Sequence, residues 1–300
     1  MSGDSPGTGF SELFFRNGDR LNLYARDYPA SGIASGKAPV ICLHGLTRNS
    51  KDFEELAPRI AALGRRVVVM DVRGRGRSEY DSMPARYVPP TYAGDGAAWM
   101  EDLKIPRAVF VGTSMGGIIT MILSALAPGR VAGAVLNDIG PRLEQAALDR
   151  IALYVGKPLP PAADWVEAAQ RCKAVNGLAF PDESDAFWMT FARRTYVERD
   201  GGVALDYDPA IAAPFAHTYS DQAKKTPAPD LTPFFDALAK KPLLTIRGEI
   251  SDLFSADGLA YMQSRAPQMR TAIVPNVGHA PYMTEPAAWQ AIRAFLQDAP

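Results

Sequence analysis

Short runs of continuous apolar residues alternate with stretches of helical spacing along much of this chain. Residues 40–43, 66–70, 108–111 and 131–136 are apolar at almost every position. Between them, residues 49–63 place Phe53, Leu56, Ile60 and Leu63 at helical intervals, and residues 92–103 and 115–127 continue that periodicity. Strands that are apolar on both sides need cover on both sides, so the pattern predicts a parallel sheet with helices on its two faces. Ahead of it, residues 11–15 and 21–24 flank Asn17-Gly18-Asp19, which reads as two strands around a tight turn.

The alternation stops at Pro141. From there to about Thr232 the chain shows helical spacing over residues 142–154, 164–175 and 185–197, many prolines and no buried strand. Strand pattern resumes at residues 243–246 and 271–274, and a final helix is predicted over residues 285–296. The predicted organisation is one α/β core, residues 11–140 and 233–300, interrupted by a helical insertion over residues 141–232. Insertions of that length serve as lids or pocket walls more often than as idle loops. Its aromatic residues include Trp165, Phe180, Phe187, Trp188, Phe191, Tyr196, Tyr207, Phe215 and Tyr219. Most are expected to form the insertion's own core, and some to line an apolar pocket.

Composition narrows the function classes. With 300 residues, 47% apolar and 22% charged, the chain can bury a large core. Its 32 basic and 33 acidic residues nearly cancel, so no general field steers it to nucleic acid or anionic lipid. Two cysteines, Cys42 and Cys172, make neither a disulfide framework nor a four-ligand zinc site and suit a reducing compartment. The start, Met1-Ser2-Gly3-Asp4-Ser5-Pro6-Gly7, lacks the basic and apolar regions of a signal peptide. No apolar run approaches a bilayer span, so a cytoplasmic protein is expected. The Gly- and Ser-rich first dozen residues are expected to lack fixed structure.

Candidate chemistry centres on Gly112-Thr113-Ser114-Met115-Gly116, between a predicted strand and helix. A sharp strand-to-helix turn lifts the serine hydroxyl out of the sheet, and the glycines leave room for the strained residue. The helix start also offers free backbone N–H groups. A serine needs a neighbouring base, and the chain has three histidines: His44, His217 and His279. His44 follows a strand and precedes Gly45, which suits the shaping of a turn. His217 falls in the insertion between Phe215 and Tyr219, as a lid or packing residue or a substrate contact. His279 follows the last predicted strand, in Asn276-Val277-Gly278-His279-Ala280-Pro281, where sheet proteins of this kind place reactive groups.

The imidazole in turn needs a carboxylate to fix its tautomer. Asp252, in Arg247-Gly248-Glu249-Ile250-Ser251-Asp252, is the predicted acid; Asp138, after the strand over residues 131–136, is its rival, and Glu249 suits a structural role. The oxyanion donors are expected to be the backbone N–H groups of Met115 and of Leu46, in the turn His44-Gly45-Leu46.

With these motifs and Asp71-Val72-Arg73-Gly74-Arg75-Gly76-Arg77-Ser78, the chain resembles the α/β-hydrolase superfamily over about residues 12–296. The resemblance implies an eight-stranded, mostly parallel sheet with a cap inserted after the sixth strand. It also implies that the loop holding Arg73, Arg75 and Arg77 is mainly structural rather than a phosphate site. The expected activity is hydrolysis of carboxylic esters through an acyl-enzyme on Ser114, carried out by a Ser114–Asp252–His279 triad. No metal or organic cofactor is required. The partners expected are a small ester with an apolar acyl or alcohol part and, at most, a second copy in a homodimer. Serine at 114 argues against dehalogenases and epoxide hydrolases of the fold, which attack with aspartate. Carbon–carbon bond hydrolases, enol-lactonases and perhydrolases share the triad and stay open, as does a slow-turnover ligand receptor.

Overall fold

Eight strands form a single sheet in this computed structural model of the chain, which describes residues 9–31, 33, 36–157, 159–199, 201–214 and 229–300. In chain order these are β1 (Ser11–Arg16), β2 (Asn22–Tyr28), β3 (Val40–Leu43), β4 (Val67–Met70), β5 (Ala108–Thr113), β6 (Val131–Asn137), β9 (Leu243–Gly248) and β10 (Arg270–Val274). The remaining strands, β7 (Tyr196–Arg199) and β8 (Gly202–Leu205), make a separate antiparallel hairpin. The order across the large sheet is β1-β2-β4-β3-β5-β6-β9-β10. β2 runs antiparallel to both its neighbours, and every other pairing is parallel.

The uninterrupted apolar strands have a direct structural reading. Successive side chains leave a strand on opposite faces, and here both faces are buried. Ile41, Leu43, Val68, Met70 and Phe110 enter one hydrophobic core, while Val40, Cys42, Val67, Val69, Val109 and Val111 enter the other. The first core is closed by α2 (Pro89–Asp102), α3 (Met115–Leu126) and residues of α7 (Thr232–Leu238) and α8 (Ala256–Arg265). The second is closed by α1 (Leu56–Ala61) and α9 (Pro286–Asp298).

Between β6 and α7 the chain forms α4 (Gln145–Ala152), α5 (Trp165–Asn176), α6 (Asp185–Thr195) and the β7–β8 hairpin. Phe180, Trp188, Phe191 and Tyr196 pack into a third apolar cluster there, joined by Tyr282 from the core, whereas Tyr207 belongs to the first core. The hairpin departs from the helix-only pattern expected in this stretch. Its strands have four residues each and turn through Gly201 and Gly202, both at positive φ, so they leave no run long enough to read. Residues 1–8 and His217, Phe215 and Tyr219 lie outside the described residues.

The chain goes from β3 outward to β4 and returns to β5 on β3's other side. At such a reversal the carboxyl-end loops of adjacent strands diverge and leave a crevice. The turn after β3 and the turn after β5 therefore face each other. No described helix is long and apolar enough to cross a membrane.

Candidate active site

Ser114 ends β5 and begins α3 with φ 51° and ψ −115°. That conformation is strained for a residue with a Cβ and is worth about 1–3 kcal/mol of backbone energy held by its surroundings. The surroundings are specific. The Ser114 N–H donates to the Asn137 carbonyl at 3.0 Å, and a Cβ at Gly116 would collide with the Leu43 carbonyl of the neighbouring strand. A Cβ at Gly112 would meet the Gly116 backbone. The two glycines thus permit the close approach of β3, β5 and α3 on which the turn depends.

His279, in the loop after β10, places Nε2 2.9 Å from Ser114 Oγ and Nδ1 2.8 Å from Asp138 Oδ2. These partners set the tautomer: Nδ1–H donates to the carboxylate, and Nε2 accepts from the hydroxyl. Asp138 follows β6 at φ 53° and is fully buried. Its Oδ1 accepts from the Gly248 N–H at 2.8 Å, and its Oδ2 also accepts from Ser251 Oγ at 2.6 Å. The acid beside His279 is therefore Asp138, which corrects the expectation of Asp252. The loop after β9 turns Ser251 inward and Asp252 outward; the Asp252 side chain is 53% exposed and pairs with Arg150 at 2.6 Å. One residue of the predicted loop does reach the site, but as a hydroxyl donor to the carboxylate.

The backbone N–H groups of Leu46 and Met115 make no hydrogen bond among the described residues, and both residues line the same cavity as Ser114 and His279. His44 sits beneath that turn, fully buried. Its Nδ1–H donates to the Gly45 carbonyl at 2.7 Å, and its Nε2 accepts from the Val72 N–H at 3.0 Å. Burial lowers its pKa to about 4, so it is a neutral brace for the turn. Asn137 joins two other parts of the site. Its side-chain amide donates to Thr113 Oγ1 at 3.1 Å and to the Pro281 carbonyl at 2.7 Å, tying the end of β5 to the His279 loop. Nothing in the sequence pattern set this asparagine apart from other strand ends.

The cavity holds about 490 Å³ and is mainly apolar. Ile118 and Ile122 of α3, Leu148 and Ile151 of α4, Tyr154, Phe180 and Phe191 line it. Among the described residues its ionic lining is Arg48 and Asp52, bonded to each other at 2.6 Å. The Arg48 guanidinium also donates to Tyr282 OH at 3.1 Å and to Thr195 Oγ1 and stacks over Phe191 at 4.1 Å, so it joins the core to the end of α6. Arg73 and Arg75 are buried and Arg77 pairs with Glu12, which leaves no open basic patch in that loop. Among the described residues no group of three or more His, Cys, Asp and Glu side chains is placed to hold a metal ion.

A mostly parallel sheet with a strained serine at a strand-to-helix turn, contacted by a histidine from a later loop, defines an α/β hydrolase. A family model described as the alpha/beta hydrolase fold matches residues 38–286, and the chain belongs to that family. It is 33% identical to a 3-hydroxybutyrate-oligomer hydrolase of Cupriavidus necator, over 94% of this chain and 95% of that one. It is 29% identical to a 2-(acetamidomethylene)succinate hydrolase of Mesorhizobium japonicum, over 81% of this chain and 82% of that one. The crystal structure of an alpha/beta hydrolase from Novosphingobium aromaticivorans superposes with a TM-score of 0.87 at 40% identity, covering 97% of this chain and 99% of that one.

Proposed function

We propose that the protein is a serine hydrolase of small carboxylic esters. Ser114 attacks the ester carbonyl while His279 Nε2 takes its proton, and Asp138 stabilises the imidazolium that results. The tetrahedral oxyanion is held by the N–H groups of Leu46 and Met115. The alcohol leaves with the proton from His279, and a water molecule hydrolyses the acyl-enzyme by the same steps in reverse roles. The observation that carries the proposal is the pair of contacts made by His279, one to the Ser114 hydroxyl and one to a buried carboxylate.

An apolar cavity of this size suits a short acyl or hydroxyacyl chain, and the segment from α4 to β8 acts as a cap over it. The likeness to the 3-hydroxybutyrate-oligomer hydrolase supports short linear oligoesters of a hydroxy acid as substrates. The likeness to the 2-(acetamidomethylene)succinate hydrolase supports a second reading, in which the substrate is a small acid that carries an amide. The test is turnover of p-nitrophenyl acetate and butyrate and of 3-hydroxybutyrate dimer and trimer, with Ser114→Ala as blank. Loss of at least about three orders of magnitude in kcat is expected. Retained turnover removes Ser114 as nucleophile. A single stoichiometric release from the unsubstituted protein, then silence, would make it a receptor instead.

A further inference from the structure

Arg75 is 0% exposed, and among the described residues it forms no ion pair. Its guanidinium instead donates from Nε to the Leu46 carbonyl at 2.9 Å and from Nη1 to the Arg73 carbonyl at 2.8 Å and Tyr92 OH at 2.9 Å. Its Nη2 meets Met115 Sδ at 3.7 Å. Tyr92 and Tyr87 cover it, at 5.0 and 5.6 Å from guanidinium carbon to ring centre. The nearby carboxylates are engaged elsewhere: Asp81 and Asp95 hold Arg73, and Asp208 accepts from Tyr87 OH. A buried cation held only by neutral acceptors has no carboxylate to cancel its field, so its charge acts on the groups it touches.

Arg75 touches four residues that line the cavity, Tyr87, Tyr92, Leu46 and Met115, and the last two are those whose N–H groups would cradle the oxyanion. We infer that Arg75 is a positioning residue for the oxyanion hole, whose fixed positive charge behind the Leu46 and Met115 walls favours the tetrahedral intermediate over the bound ester. This rests on the ester-hydrolase reading above. Arg75 does not line the cavity, so it acts through those two residues and through the field of its charge. Because that charge meets its counter-charge only when the oxyanion forms, it serves the chemical step and not ester binding.

The test compares Arg75→Met, Arg75→Gln and Arg75→Lys with the unsubstituted protein on p-nitrophenyl butyrate. Inhibition by an aryl trifluoromethyl ketone, which adds Ser114 and becomes an oxyanion, is measured beside that by the matching methyl ketone. For Arg75→Met, kcat is expected to fall about 100-fold with KM within twofold, and trifluoromethyl ketone affinity to fall in parallel. Methyl ketone affinity stays unchanged. Arg75→Lys should recover at least tenfold over Arg75→Met in both kcat and that inhibitor preference. If the methionine protein does not fold, lysine against glutamine carries the same comparison. Equal inhibitor preference across the neutral and charged variants overturns the inference and leaves Arg75 as packing alone. Ester turnover surviving in Ser114→Ala would instead overturn the functional reading itself.

Discussion

Replacing Asp138 by asparagine keeps the volume beside His279 Nδ1 but removes the charge that meets the imidazolium. It also lets an amide N–H face the ring, which favours the wrong tautomer. A fall in kcat/KM of about two to four orders of magnitude is expected for Asp138→Asn, with Asp252→Asn within about twofold of the unsubstituted protein. Steady-state kinetics on one chromogenic ester decides it, and equal losses in the two variants would return the acid role to an open question. The sequence left these two aspartates as rivals because each follows a strand, and strand ends were all it offered. What separates them is which way a loop turns. β6 and β9 are neighbours, so a carboxylate after either one lies near the same rim. The inward position after β9 is taken by Ser251, leaving Asp252 to Arg150 in solvent. A local sequence pattern carries no sign of that choice, whereas Ser114 and His279 were legible from the Gly-x-Ser-x-Gly spacing and from a histidine after the last strand.

At the scale of elements, the strand-to-helix turn depends on three backbones that nearly touch. α3 begins against β3 through Gly116 and against β5 through Gly112. In Gly116→Ala the new methyl group would overlap the Leu43 carbonyl, a backbone atom inside the sheet that has no flexible side chain's freedom to move away. The substitution is expected to cost about 1–3 kcal/mol of stability and to reduce ester turnover more than the lost fold accounts for, because β3 also carries the Leu46 turn. Urea unfolding beside active-site titration measures both effects. Unchanged stability would mean that the helix start can shift freely, and the strain at Ser114 would then lose its structural basis. The core strands were readable because burial on both faces writes itself as continuous apolar sequence. The β7–β8 hairpin was not: among its described residues only Val203 and Tyr196 are buried, so neither alternation nor a continuous run marks it.

Across the whole molecule, two buried groups at the carboxyl rim of the sheet oppose each other in pH. His44 is held neutral, its pKa lowered to about 4 by burial. The stability it contributes is complete above the unfolded value near 6.5 and is lost as pH falls toward 4. Asp71 is buried as well, and burial pushes its pKa up to about 6 against two backbone hydrogen bonds, from Ser50 and Arg77, that favour its charge. Its folded value exceeds its unfolded one, so its contribution is complete below about 4 and is lost as pH rises through 6. Each shift corresponds to about 3 kcal/mol, with opposite sign over nearly the same interval. The fold is thereby buffered between pH 4 and 6.5, where a protein with His44 alone would weaken. Asp71→Asn removes one side of that balance. Whatever constant loss the amide imposes on the bonds from Ser50 and Arg77, the pH-dependent part remains. The variant's stability relative to the unsubstituted protein should fall by about 3 kcal/mol between pH 6.5 and 4. Urea unfolding at closely spaced pH values reads this directly. A difference that stays constant with pH would show that Asp71 titrates in the fold as it does in the unfolded chain, and that burial at this rim does not govern its charge.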